Sequence, residues 1–134
     1  MSWDGVKQIT NNQPIINWCD EMSIKNYTIN SKGEIDVDGD VDLTNKTFEE
    51  IPYKFGKVNG YFDIGNNNNL ISYKNCPDEV VDWFSSNFNR NLKYVEGCPK
   101  KVGGDFYCSY GANFSKNQIK GLCDVMGTIH TMKF

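Results

Sequence analysis

The sequence predicts a mainly β fold: a short parallel β-solenoid of about five rungs, 21–23 residues each, closed at its N-terminal end by a helix and a hairpin. Three observations predict it. Segments 37–43, 58–64, 80–86, 102–108 and 125–131 each begin on valine, and their starts lie 21, 22, 22 and 23 residues apart. A fixed period in this range marks a solenoid. Within each segment the fifth and seventh residues are apolar or small while the fourth and sixth are polar or aromatic, as in a strand with one buried face. Between segments, Phe48, Leu70, Leu92 and Phe114 recur in register, as do Cys76-Pro77 and Cys98-Pro99, with Cys123 at the matching place in the last unit.

The elements follow in chain order. Asn12 is placed to cap a helix beginning near Gln13 and Pro14, and steps of three and four put Ile15, Trp18, Cys19 and Met22 on one face of it. That face is expected to cover the first rung. Residues 27–29, a turn at 30–33 ending on Gly33, and residues 34–37 read as a hairpin. Its second strand leads into rung one. Helix and hairpin together make an N-terminal cap over residues 1–36, with the solenoid at 37–134, the two forming a single domain. Each rung is expected to contribute one short strand. Strands about 20 residues apart cannot be hairpin partners, so they stack in parallel. The Asn-rich returns at 65–69 and 87–91 suit turns in which Asn bonds neighbouring backbone, and Asn67 and Asn89 are expected to form a short internal ladder. No equivalent cap follows Thr131, which leaves the last strand as an edge open to pairing and makes a homodimer through it one expectation.

Composition narrows the function. Over 134 residues, 39% hydrophobic and 23% charged residues describe a globular chain, not a disordered one. The 14 Lys plus Arg are outnumbered by 17 Asp plus Glu, for a net charge of -3, so the counterion-release drive behind direct nucleic-acid binding is missing. No apolar run approaches the length of a membrane span. The opening residues carry an acid and no apolar core of a secretory signal, and five cysteines without scaffold spacing fit reduced thiols, so a cytoplasmic location is expected.

The pattern Phe62-x-Ile64-x-x-Asn67 resembles the leucine-rich repeat consensus. It departs where Leu70 and Leu92 fall one position late and where Gly111 replaces the Asn. More narrowly, GCPKKVGGDFYCS at residues 97–109 resembles the short leucine-rich-repeat-like units of small proteins of tailed phages and their hosts. The resemblance covers about residues 24–131. It implies a non-enzymatic binding scaffold in a phage context, one made to block a host (defence) protein in the host cytoplasm, and it carries no catalytic residues.

Stacking turns the outward positions into columns. One holds Asp40, Tyr61, Trp83, Asp105 and Thr128; its neighbour holds Asp42, Asp63, Ser85, Tyr107 and His130. Tyr61, Trp83 and Tyr107 among the carboxylates Asp40, Asp63 and Asp105 form the expected partner-binding set, since exposed Tyr and Trp on a rigid face dominate protein interfaces. The plain alternative is cross-strand filling. A second candidate is EIDVDGDVD at 34–42, which is read as one strand with Asp36, Asp38, Asp40 and Asp42 on one side. Such a row imitates a phosphate backbone and blocks a basic groove, or it is simply a solvated face that discourages edge pairing.

Other chemistry is not expected. A calcium loop from Asp38 would meet Leu43 where the sharp turn needs Gly, although Glu49 falls at the twelfth position. Cys76, Cys98 and Cys123 share a column but lack Cys-x-x-Cys spacing, and the one histidine, His130, lies elsewhere, so packing accounts for them better than a metal. One histidine and no nucleophile elbow or phosphate loop leave no active site to assemble. No catalytic residue and no cofactor is therefore assigned.

Overall fold

The computed structural model describes residues 3–133, with side chains from Asn12 onward. Helix α1 (Trp3–Glu21) is followed by β1 (Tyr27–Ile29), β2 (Ile35–Val37), β3 (Val41–Asp42), β4 (Phe55–Val58) and β5 (Phe62–Asp63). Then come β6 (Glu79–Val80), β7 (Phe84–Ser85), β8 (Lys101–Val102), β9 (Phe106–Tyr107), helix α2 (Lys116–Lys120), β10 (Asp124–Val125) and β11 (Ile129–His130). The strands form two sheets. The first runs β1-β2-β4-β6-β8-β10 and the second β11-β9-β7-β5-β3. Every neighbouring pair is parallel except β1 with β2, which is the antiparallel hairpin at the start. The fold is a parallel β-solenoid.

Two expectations about the repeat are corrected. Each repeat segment holds two short strands, one per sheet, because the chain bends between its first and fifth residues. At several bends glycines let neighbouring rungs close up, although Val81-Asp82 bends without one: a Cβ on Gly103 would lie 2.1 Å from the carbonyl oxygen of Val81, and one on Gly60 would lie 2.6 Å from that of Gly39. Only a residue without a side chain lets successive rungs approach this closely. The five strand levels of the second sheet, from β3 to β11, also enclose four circuits of the chain, so the solenoid has about four turns where the repeat spacing predicts five rungs. The return legs form a third side, marked by a parallel bridge between Ser72 and Tyr94.

Inward positions build the core by stacking like on like. Phe62 and Phe84 stack with ring centroids 6.0 Å apart, and Phe84 and Phe106 at 4.8 Å. All three are fully buried, and each such side chain contributes about 1.5–3 kcal/mol on removal from water. Tyr73 is equally buried and keeps its hydroxyl satisfied by Ser86 Oγ at 2.7 Å and Cys108 Sγ at 3.3 Å.

The Asn ladder forms as the sequence predicts. Asn67 donates its side-chain amide to Ile64 and Leu43 carbonyls and accepts from the backbone N–H of Lys46 at 2.7 Å. Its own backbone N–H donates to Asn89 Oδ1 at 2.6 Å, and Asn89 in turn donates to the carbonyls of Ile64 and Ser86. Both side chains are wholly buried, so each amide replaces the water that those backbone groups would otherwise bind. Gly111 stops the series. A Cβ there would sit 2.6 Å from the backbone nitrogen of Asn89.

The N-terminal helix covers the core as expected, but its start is corrected. α1 begins at Trp3 and carries Pro14 in its interior, so Asn12 is not its cap. Proline removes one helical hydrogen bond without ending the helix, and Pro14 is exposed, where its ring meets no packed neighbour. Cys19 is buried and Ile15, Trp18 and Met22 pack against the core, Trp18 meeting Tyr53 and Phe55 with ring centroids 5.7 and 5.9 Å away. The hairpin turn is closed by Asn30, whose Oδ1 accepts from the N–H groups of Lys32 and Glu34, with Gly33 at φ +77°. Among the described residues, no helix is long and apolar enough to cross a membrane.

Candidate protein-binding face

The parity of the second sheet's strands sets its outer face. Val41, Phe62, Phe84, Phe106 and Ile129 point inward and are buried, so the residues on either side of them point out. The two columns expected from the sequence are present, and Tyr61, Trp83 and Tyr107 come together in one continuous stripe. Tyr61 and Trp83 stack at 4.3 Å with planes 8° apart. Trp83 then meets Tyr107 edge to face at 6.1 Å and 88°, and Tyr107 stacks on His130 at 4.6 Å and 7°. The stripe thus crosses diagonally from one column to the other at Trp83. His130 completes it, a member of the second column that sequence reasoning did not place in the binding set.

The carboxylates interleave with the rings and are held by fixed donors. Asp40 Oδ1 accepts from the Tyr61 backbone N–H at 2.9 Å, and Asp105 Oδ1 accepts from that of Thr128 at 2.9 Å. Asp105 Oδ2 lies 3.1 Å from His130 Nε2. The Thr128 amide, and after it the His130 hydrogen bond, hold the Asp105 carboxyl below the usual aspartate range. Asp42 is also lowered, by hydrogen bonds from the hydroxyl and amide of Thr44. Asp63 moves the other way: burial, partly offset by the Gly65 amide at 2.8 Å, raises its pKa, and Asp42 alongside raises it further. Tyr61 is raised as well, by burial first and then by Asp40, Asp42 and Asp63.

Charge separates the two sheets. On the first, the outward residues Asp36, Lys57, Glu79, Lys101 and Asp124 alternate in sign from strand to strand, with Lys57 and Glu79 4.0 Å apart. On the second, the two columns hold four aspartates and no lysine or arginine, and Asp42 stands directly beside Asp63 in the ladder. Like charges at paired positions cost stability. The first sheet alternates acid with base; the second sets four aspartates against one histidine, which lies beside Asp105.

The row from Asp36 to Asp42 is not a single strand face. The bend at 38–40 ends β2 and starts β3, so Asp36 belongs to the first sheet and Asp42 to the second. Asp36 Oδ1 accepts from the Lys57 N–H at 2.9 Å, and Asp40 and Asp42 are engaged as above. The carboxylates therefore serve the stacking of rungs and turns, and Asp38 stands apart, exposed at the bend. Among the described residues, no group of three or more His, Cys, Asp or Glu is placed to hold a metal ion. All five cysteines are free and buried, and desolvation pushes the thiols of Cys19 and Cys98 up to about 11 and that of Cys123 to about 12.

Beyond the stripe lies a corner that sequence reasoning missed. Asn45, Asn66, Phe88 and Tyr110 all adopt left-handed backbone, with φ of 59°, 54°, 64° and 61°. Asn tolerates this region, whereas bulky residues are strained in it. Asn45 and Asn66 share a side-chain hydrogen bond, while Phe88 and Tyr110 stack at 5.2 Å with Phe88 47% exposed. The spacing of 21, 22 and 22 residues was the only signal in the sequence that could have found them.

No family model, curated protein or solved structure matches this chain.

Proposed function

We propose that this chain is a non-enzymatic scaffold that holds a partner protein on the outer face of the second sheet and acts by occupancy. The observation that carries the proposal is the contrast between the sheets: one alternates acid and base across strands, the other presents Tyr61, Trp83, Tyr107 and His130 among four aspartates with no lysine or arginine in its columns. Aromatic rings fixed by their neighbours lose little freedom on binding, and such residues carry most of the energy at interfaces. The resemblance to the repeat units of tailed-phage proteins supports a concrete form, an inhibitor of a host defence protein. The test is capture from a host lysate, with identification by mass spectrometry, using the wild type and the combined Tyr61→Ala, Trp83→Ala, Tyr107→Ala variant. Unchanged capture by the variant rejects the face.

A second reading, self-assembly through the C-terminal edge, is favoured by one observation. Leu122, Met126 and Met132, with exposures of 46%, 67% and 60%, surround β10 and β11, the last strands of both sheets. Exposed apolar residues beside open strands are a pairing surface. Light scattering that stays monomeric across a wide concentration range excludes it.

A further inference from the structure

We propose that the open edge of β3 is a strand-addition site for an extended peptide segment carrying lysine or arginine at alternate positions. The inference rests on the second sheet being the contact face and names the partner's chemistry there.

The two sheets end differently at the N-terminal side. In the first, β1 pairs antiparallel with β2 and closes the edge; in the second, β3 is the last strand. The backbone N–H groups of Val41 and Leu43 donate to the carbonyls of Tyr61 and Asp63 at 2.9 and 2.8 Å, so these two residues face β5. Strand alternation then turns the N–H and C=O of Asp42 and the C=O of Asp40 to the opposite side. A groove of about 480 Å³ is lined by residues of and around β3, among them Met22, Ile24, Asp40, Asp42, Lys46 and Tyr61. Backbone groups in such an edge accept an added strand through main-chain hydrogen bonds, and the side pockets select alternate residues.

The shape of the groove selects a single extended chain over a folded unit. Met22 and Ile24, from the segment after α1, line the groove across from Asp40 and Asp42. Charge selects the side chains. Asp40 and Asp42 are exposed, and Asp63 adds a third carboxylate near Tyr61, which stacks on Trp83 and also lines the groove. Lys46 stands past the turn at 44–45, so the acidic stretch is the part along the strand itself.

The experiment titrates the full chain with acetyl-Thr-Lys-Val-Lys-Thr-amide and follows β3 and β5 amide shifts by NMR. Binding is expected, and replacing both peptide lysines by glutamate is expected to weaken it about tenfold or more, equivalent to about 1.4 kcal/mol. Two N-methylated peptides carry the decisive comparison, one methylated at odd and one at even residues. One set must abolish binding while the other leaves it intact, because only alternate N–H groups enter a ladder. Equal tolerance of both sets, equal binding of the glutamate peptide, or no shift at about 5 mM peptide overturns the proposal. Self-association of the chain that the peptide competes away gives the groove to a second copy and also overturns it. Trp83→Ala with Tyr107→Ala separates the two readings: loss of partner capture with peptide binding intact keeps both, whereas intact capture rejects the face while the N-methyl comparison still judges the edge.

Discussion

Tyr61 and Trp83 lie face to face across adjacent rungs, centroids 4.3 Å apart, on a sheet whose opposite side is filled by the Phe62 and Phe84 stack. One pair is half-buried and the other fully buried, yet both obey the same period. The outer pair is therefore placed by the same repeat as the core, and its rings are already oriented by their stacking.

Trp83→Ala removes the centre of the stripe. Stability is expected to fall by about 1–3 kcal/mol, since the ring pairs with both Tyr61 and Tyr107 at about 0.5–1.5 kcal/mol each. Partner affinity is expected to fall by about 2 kcal/mol or more. Urea denaturation and titration with the captured partner check the two numbers separately, and a large loss of stability with unchanged affinity assigns the ring to cross-strand filling.

Asp63→Asn is expected to stabilise the protein at neutral pH. The folded-state pKa of Asp63 is raised, chiefly by burial, so the folded protein holds its proton more tightly than the unfolded chain does. Stability from this group is present at low pH and is lost as pH rises from the unfolded value through the folded one. The asparagine variant should show a higher Tm than wild type at pH 7, with the difference vanishing towards pH 3. Melting curves over this range check it, and a difference that does not change with pH rules out titration of the buried carboxyl as its source.

Asn67→Ala strands the N–H of Lys46 and the carbonyl of Leu43, whereas the Ile64 carbonyl keeps the amide of Asn89. An unsatisfied buried polar group costs about 1–3 kcal/mol, so a loss at the upper end of that range or beyond it is expected. Equilibrium unfolding gives the figure, and amide exchange should show Lys46 among the residues newly exposed to solvent.

Gly103→Ala places a methyl where the Val81 carbonyl already stands, 2.1 Å from the ideal Cβ position. Relief requires the rungs to part at the bend, with an expected cost of about 3 kcal/mol. Gly121→Ala, whose nearest neighbour is a backbone oxygen at 3.4 Å, serves as the control and should change stability little.

Much of this architecture is legible in the sequence because the period is strict. Valines at 37, 58, 80 and 102, and the phenylalanines at 62, 84 and 106 that follow the last three, return to the same place in each coil, and Asn67 and Asn89 announce their ladder. The start of α1 was not legible, since the Asn12 to Pro14 signal for a helix beginning also suits a proline tolerated on an exposed helical face. The second strand in each repeat was hidden by bends at residues such as Gly60 and Gly103, which fall inside segments that alternate like one continuous strand. At the candidate face, the columns containing Tyr61, Trp83 and Tyr107 follow from spacing alone. Their diagonal contact does not, because ring orientation depends on how Trp83 leans between rungs. Phe88 and Tyr110 stayed invisible because nothing in an aromatic residue type signals left-handed backbone.

The bend that divides each repeat also divides its obligations. Since Gly60, Gly103 and Gly127 fix the corner by touching backbone, and Phe62, Phe84 and Phe106 fill the interior, the rings on the outer wall are released from both tasks, while Asp40 and Asp105 still bind backbone amides of the next rung. The rings at Tyr61, Trp83 and Tyr107 can therefore be exchanged for other residues while the frame stands.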